Sequence, residues 1–169
     1  MEKNDALLLF LKISLHRMYE HYLPKLLQAL QVLSREELWM REAKGMNAIG
    51  GIVLHICEHI RRNTLQSKNL TITFSKGIEE YFPDFDWTSD KLCEYVQKTF
   101  DEWQDEMIAC IANFHHRKID VHRLYHLVEH TAYHLGQVID RVKRIKEISF
   151  QFCQKGLNEQ VLREMIEKN

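Results

Sequence analysis

Apolar residues step along this chain at intervals of three and four, the period of a helix that buries one face. Leu7, Leu8, Leu11, Leu15, Met18 and Tyr22 open the pattern. Leu26, Leu27, Leu30 and Leu33 carry it on, which predicts helix over about 5–33. Pro24 falls inside this run. A proline either kinks a helix or begins a new one, because it has no N–H to donate and suits a first turn. Ser34 with Glu37 reads as a capping box that opens a short turn of helix through Leu38, Trp39 and Met40. A second helix is expected over about 48–67, with Asn47 as its N-cap and Ile49, Ile52, Val53, Ile56 and Ile60 facing inward. Leu92, Val96, Phe100, Trp103 and Met107 predict a third over about 90–113, capped by Thr88 or Ser89. A fourth spans about 121–148, and Gly156 sets off a short C-terminal helix over about 157–167.

The stretch 69–86 lacks this period. Residues 70–74 could be briefly extended, but an isolated strand has no partner here. Tyr81, Phe82, Pro83, Asp84 and Phe85 predict an aromatic loop folded onto the helices. Six glycines and two prolines leave little material for turns, so long helices are favoured over many strands. The pattern therefore predicts one all-α domain over 1–169, four long helices forming a bundle with one longer connection.

Composition narrows the class. Apolar residues make up 45%, which excludes a disordered chain. Net charge is −1, and the basic pairs Arg61-Arg62 and Lys143-Arg144 sit among acids, which argues against a nucleic-acid partner. No apolar run approaches membrane-spanning length, and the start Met1-Glu2-Lys3 lacks the basic opening of a signal peptide. The expected location is the cytoplasm, with no membrane partner. The four cysteines form no CxxC pair, so neither a disulfide framework nor a zinc–thiolate site is expected.

Histidine changes the picture most. The chain holds ten. Chance would give about half a pair at the helical-neighbour spacing i, i+4. Four such pairs are present: His55/His59, His122/His126, His126/His130 and His130/His134. At about 100° per residue, His126, His130, His134 and Gln137 fall within roughly 80° of one another. They flank the apolar arc of the fourth helix, as His55 flanks that of the second. Imidazoles stacked one turn apart can aim two nitrogens at one cation, and bundle cores are where facing helices build such sites. Gly51, one turn before His55, could leave room for a ligand. Neutral imidazoles suit zinc, nickel, iron or copper, and three ligands would leave a position open. Periodicity does not choose between His55 and His59, or between His126 and His134. His16, His21, His115, His116 and His122 read as surface or turn residues.

Two motifs resemble the DinB/YfiT-like superfamily of metal-binding helical bundles. One is Asn47-Ala48-Ile49-Gly50-Gly51-Ile52-Val53-Leu54-His55, similar to an Asn-x-Ile-Gly segment leading to a first histidine. The other is His126-Leu127-Val128-Glu129-His130-Thr131-Ala132-Tyr133-His134-Leu135-Gly136-Gln137, similar to a His-x-x-x-His-x-Gly-Gln signature. The resemblance implies an up-down-down-up bundle and one divalent metal, zinc or nickel, on His55, His130 and His134. His59 and His126 become neighbours of the site. It also implies transfer of a low-molecular-weight, bacillithiol-like thiol to an electrophile, and a homodimer. The metal would hold the thiol as thiolate, with Gln137 bonding a ligand or orienting His130. A metal-dependent hydrolase using Glu58 or Glu129 as base is the alternative. A non-catalytic, stress-related metal-binding protein is a third reading.

Overall fold

The computed structural model describes residues 3–68 and 77–168. Among them every regular element is helical. The expectation of an extended segment at 70–74 lies outside the described residues.

The first apolar run forms α1 (Lys3–His16) and α2 (Leu23–Gln31), joined by a π-helical turn, Arg17–Tyr22. Pro24 accounts for that turn. In a regular helix its ring would press on the carbonyl four residues back, and that carbonyl would lose its donor. The π-turn winds wider, and the Leu23 N–H reaches the Met18 carbonyl five residues back. Pro24 then sits in the first turn of α2, where a missing N–H costs little. The backbone stays right-handed helical from α1 through Tyr22 and Leu23 into α2, so the helix continues past the proline with a local change of winding.

Helix α3 (Arg35–Trp39) opens on the expected capping box. The Glu37 N–H donates to Ser34 Oγ at 3.2 Å, and the Ser34 N–H donates to Glu37 Oε2 at 2.8 Å. Helix α4 (Ile49–Ser67) departs from expectation at its start. Ala48 occupies the cap position with no side-chain hydrogen bond, so Asn47 is not the cap. The Asn47 carbonyl instead accepts from Arg141 Nη1 at 2.6 Å, a tertiary bond that local sequence could not reveal. Thr88 caps α5 (Ser89–Ala112), and Ser89 Oγ donates to the Leu30 carbonyl at 2.7 Å, docking α5 on the end of α2. Asp120 caps α6 (Val121–Lys146), which stops at Glu147 in the left-handed region (φ +52°). Helix α7 (Glu159–Lys168) docks on the π-turn through the bidentate pair of Arg17 with Glu159, both contacts 2.8 Å.

Side-chain partners give the helix directions. His55 meets His134 and His59 meets His126, so α4 and α6 run antiparallel. Trp103 Nε1 donates to Asn63 Oδ1 at 3.1 Å, and Ser67 Oγ donates to Glu106 at 2.6 Å, so α4 and α5 run the same way. Parallel neighbours cannot be joined by a tight turn, which fits the wide sequence separation of Ser67 and Ser89. Tyr19 Oη donates to Asp101 Oδ1 at 2.8 Å, and with the Ser89–Leu30 contact this sets the N-terminal helices antiparallel to α5. The core between these elements holds Trp103, Phe100, Met18, Leu30, Ile56 and Ile60, all fully buried. Each such side chain contributes about 1.5–3 kcal/mol relative to exposure. Among the described residues no helix is long and apolar enough to cross a membrane.

Two glycines of α4 are needed for close approach. A Cβ on Gly51 would lie 3.3 Å from the Pro83 carbonyl oxygen and 3.4 Å from that of Phe82. The room beside His55 is therefore filled by the backbone of Phe82 and Pro83, and not by space for a ligand. A Cβ on Gly50 would lie 2.6 Å from the Trp39 ring. That ring is pinned by its Nε1–H donating to the Trp87 carbonyl at 2.8 Å. Gly50→Ala is expected to cost about 1–3 kcal/mol by overpacking, read as a lower melting temperature. An unchanged melting temperature would show that Trp39 yields freely.

Candidate metal centre

Helix α4 supplies His55 and α6 supplies His130 and His134, four residues apart on one face. The antiparallel crossing turns the three imidazoles toward one point. His55 Nε2 lies 3.0 Å from His130 Nε2, and His134 Nε2 lies 3.2 Å from that same atom. His55 and His134 are buried and His130 is half-buried. Their nitrogens could together hold a metal ion.

The donor set fits one. His134 Nδ1 lies 2.8 Å from Gln137 Oε1. An amide oxygen only accepts, so Nδ1 carries the proton and Nε2 presents a lone pair. His130 Nε2 faces that nitrogen and His55 Nε2, and one shared proton is the most that neutral rings can place there. A cation satisfies all three lone pairs together. Two nitrogens about 2.05 Å from a tetrahedral zinc stand about 3.3 Å apart, close to the separations found. Gln137 thus orients His134 and not His130, because it follows His134 by three residues on the same helix face.

Burial keeps this cluster neutral. It lowers the pKa of His55, with His134 adding to the effect. His130 is pushed down to about 3 by burial and by the neighbouring His59. His59 is likewise pushed down to about 3 by burial, with His55 next in effect. Burial lowers His134 too, opposed by its bond to Gln137 and by the Glu79 carboxylate. Each of these groups binds a proton more readily unfolded than folded. Stability of the metal-free protein should therefore rise with pH from about 3 and level off above the ordinary histidine value near 6.5. The slope is at most about 1.4 kcal/mol per pH unit for each histidine kept neutral. Urea midpoints at pH 5 and pH 7 test this, and equal midpoints would exclude it.

The other expected neighbours take distinct places. His59 stacks face to face on His130, ring centroids 3.8 Å apart, and meets His55 edge-on at 4.7 Å. His126 is exposed, 5.5 Å from the His130 ring. Both rings pack around the converging trio without joining it. Among the residues read as surface histidines, His115, His116 and His122 are exposed. His16 and His21 are half-buried, and His21 Nε2 lies 3.0 Å from the Leu157 carbonyl beside α7.

Three neighbours of the site were not legible in the sequence. Phe82 stacks on His55 with centroids 4.3 Å apart, roofing it from the 68–88 connection. The aromatic loop was expected on the helices, but nothing in it pointed to His55. Glu79, on the 3-10 turn Ile78–Glu80, is the carboxylate whose charge acts on both His55 and His134. Arg141 is buried at the edge of a cavity of about 440 Å³ that reaches His134, Gln137 and Phe82. Its Nε donates to Glu42 at 2.8 Å.

The two glutamates considered as bases lie elsewhere. Burial raises the Glu58 carboxyl, but hydrogen bonds from Arg61 and Arg62 outweigh it and hold the group ionised and occupied. Glu129 is exposed. The four cysteines are free thiols. Burial pushes the Cys57 thiol up to about 12, far from a thiolate at neutral pH. No protein-family model, curated protein or solved structure matches this chain.

Proposed function

We propose that this chain is a metal-dependent S-transferase built as an up-down-down-up four-helix bundle of the DinB/YfiT-like kind. It moves a low-molecular-weight, bacillithiol-like thiol onto an electrophilic carbon. The observation that carries this reading is the convergence of His55, His130 and His134 through Nε2, with Gln137 holding the His134 tautomer. The parallel pairing of α4 with α5 and the antiparallel pairing of α4 with α6 support the bundle topology. Zinc or nickel, when bound by the three histidines, supplies a Lewis acid that favours the thiolate form of a thiol.

The chain's own groups do the rest. His55, His130 and His134 stay neutral and keep their lone pairs available at physiological pH. Gln137 keeps a proton on His134 Nδ1. Phe82 shields the face of His55 from water. The cavity beside His134 has an apolar side at Ile52, Phe82, Tyr133 and Met46 and a polar side at Asn47, Asp140, Arg141 and Arg144, a lining suited to an electrophile with both an apolar and a polar part. Holding both reactants there replaces a bimolecular encounter by an oriented one. The sulfur pair forms the new S–C bond, the leaving group departs with its own pair, and the thiol proton passes to solvent.

The test is an assay of the metal-loaded protein with bacillithiol and a model electrophile, following thioether formation. Turnover is expected to need the metal and to disappear in His130→Ala. Turnover unchanged in that variant would sink the proposal.

A further inference from the structure

Arg141 is only 5% exposed, yet its guanidinium is incompletely satisfied. Nε donates to Glu42 Oε1 at 2.8 Å, and Nη1 donates to the Asn47 carbonyl at 2.6 Å. Nη2 is buried and has no hydrogen-bond partner among the described residues. Buried polar groups nearly always find a partner, and a charged donor left without one is costly.

Arg141 follows His134 by seven residues, two turns of α6, so the pair share a face about 10 Å apart along the helix axis. Both wall the same cavity of about 440 Å³. Nη2 is screened from bulk water. A group seated in the cavity, after a small adjustment of its wall, is what can supply the acceptor. Asn47 walls this cavity as well. It is half-buried, and its carboxamide makes no hydrogen bond among the described residues. The bond to its carbonyl holds it beside the guanidinium. Two other polar groups of the wall are engaged, Gln137 on His134 and Asp140 on Arg144.

Charge decides the chemistry of the missing partner. Arg141 and Arg144 share Glu42, and Arg144 also bonds Asp140. Two cations thus face two carboxylates, and no surplus positive charge is left for an anion. A neutral carbonyl oxygen only accepts, and its two lone pairs can take one N–H from each of two donors.

We propose that Arg141 Nη2 and the Asn47 carboxamide N–H together bind a neutral carbonyl oxygen on the electrophile. This rests on the thiol-transfer reading above. The reacting carbon lies at the His134 end and the carbonyl two helical turns away, so several bonds separate them. Ile52, between Asn47 and His55 along α4, and Phe82 hold the apolar body that joins the two. Arg141 and Asn47 then select ketones and amides over hydrocarbons and over acids.

Equilibrium dialysis of the zinc-loaded full chain against trace 2-acetylnaphthalene, 2-ethylnaphthalene and 2-naphthoate tests the site. The ketone is expected to bind roughly tenfold more tightly than the hydrocarbon, the effect of a hydrogen bond from a charged donor. The acid should bind no more tightly than the ketone. Arg141→Lys keeps a cation beside Glu42 but has no second guanidinium nitrogen. Asn47→Ala keeps the backbone carbonyl and loses the carboxamide. Each should cut ketone binding several-fold and leave the hydrocarbon unchanged, and Asn47→Ala decides alone if Arg141→Lys does not fold. Equal binding of ketone and hydrocarbon, tighter binding of the acid, ketone binding unchanged in the variants, or no binding by any probe overturns the site. Absence of turnover with bacillithiol, beside an intact ketone preference, would instead remove the transfer reading and leave a carbonyl-binding site standing.

Discussion

His130→Ala is expected to abolish stoichiometric metal uptake. His130 Nε2 is the atom that both other imidazoles face, at 3.0 and 3.2 Å, so its removal leaves His55 and His134 without a common centre. The wild-type chain should bind one ion and gain about 4 kcal/mol of stability when free metal exceeds its dissociation constant a thousandfold. For a chain of this size that is a rise in melting temperature on the order of 10 °C. The variant should show neither the ion nor the rise. His126→Ala should keep both, because that ring is exposed and stands outside the trio. Metal analysis and thermal melts with zinc or nickel read the result. A full complement of metal in His130→Ala would place the site elsewhere. A wild-type chain with neither metal nor a melting rise would leave the histidines as a polar network only.

Gln137→Leu should weaken metal affinity without removing it. The side chain touches no lone pair aimed at the centre. It holds the proton on His134 Nδ1 at 2.8 Å, and so fixes which nitrogen is free and how the ring is turned. Loss of such a supporting bond costs about ten- to a hundredfold in affinity. Gln137→Glu keeps an acceptor in the same place and should restore most of it. Competition with a chromophoric chelator measures both variants. Equal affinities for the wild type and Gln137→Leu would show that packing alone orients His134.

Much of this architecture was legible because its causes are local. Ser34 and Glu37 form their capping box within four residues. Thr88 caps its own helix. Ile49, Ile52, Val53, Ile56 and Ile60 are buried because a 3.6-residue period puts them on one face. Asn47 misled for the opposite reason. Its residue type suits a cap, but Arg141, distant in sequence, claims its carbonyl and the helix begins after Ala48. Gly51 misled in the same way, since the backbone it admits comes from Phe82 and Pro83.

The histidine cluster divides along the same line. The sequence by itself determined that His126, His130, His134 and Gln137 share a stripe, because helical geometry depends only on spacing. It also determined that His55 lies at the edge of an apolar face on another helix. Only the tertiary structure decided that His55, and not His59, points its Nε2 at His130, while His59 lies flat against that ring. One helical turn separates the two candidates. The choice between them depends on the crossing of α4 and α6 and on the returning loop that sets Phe82 against His55, neither of which a periodicity contains.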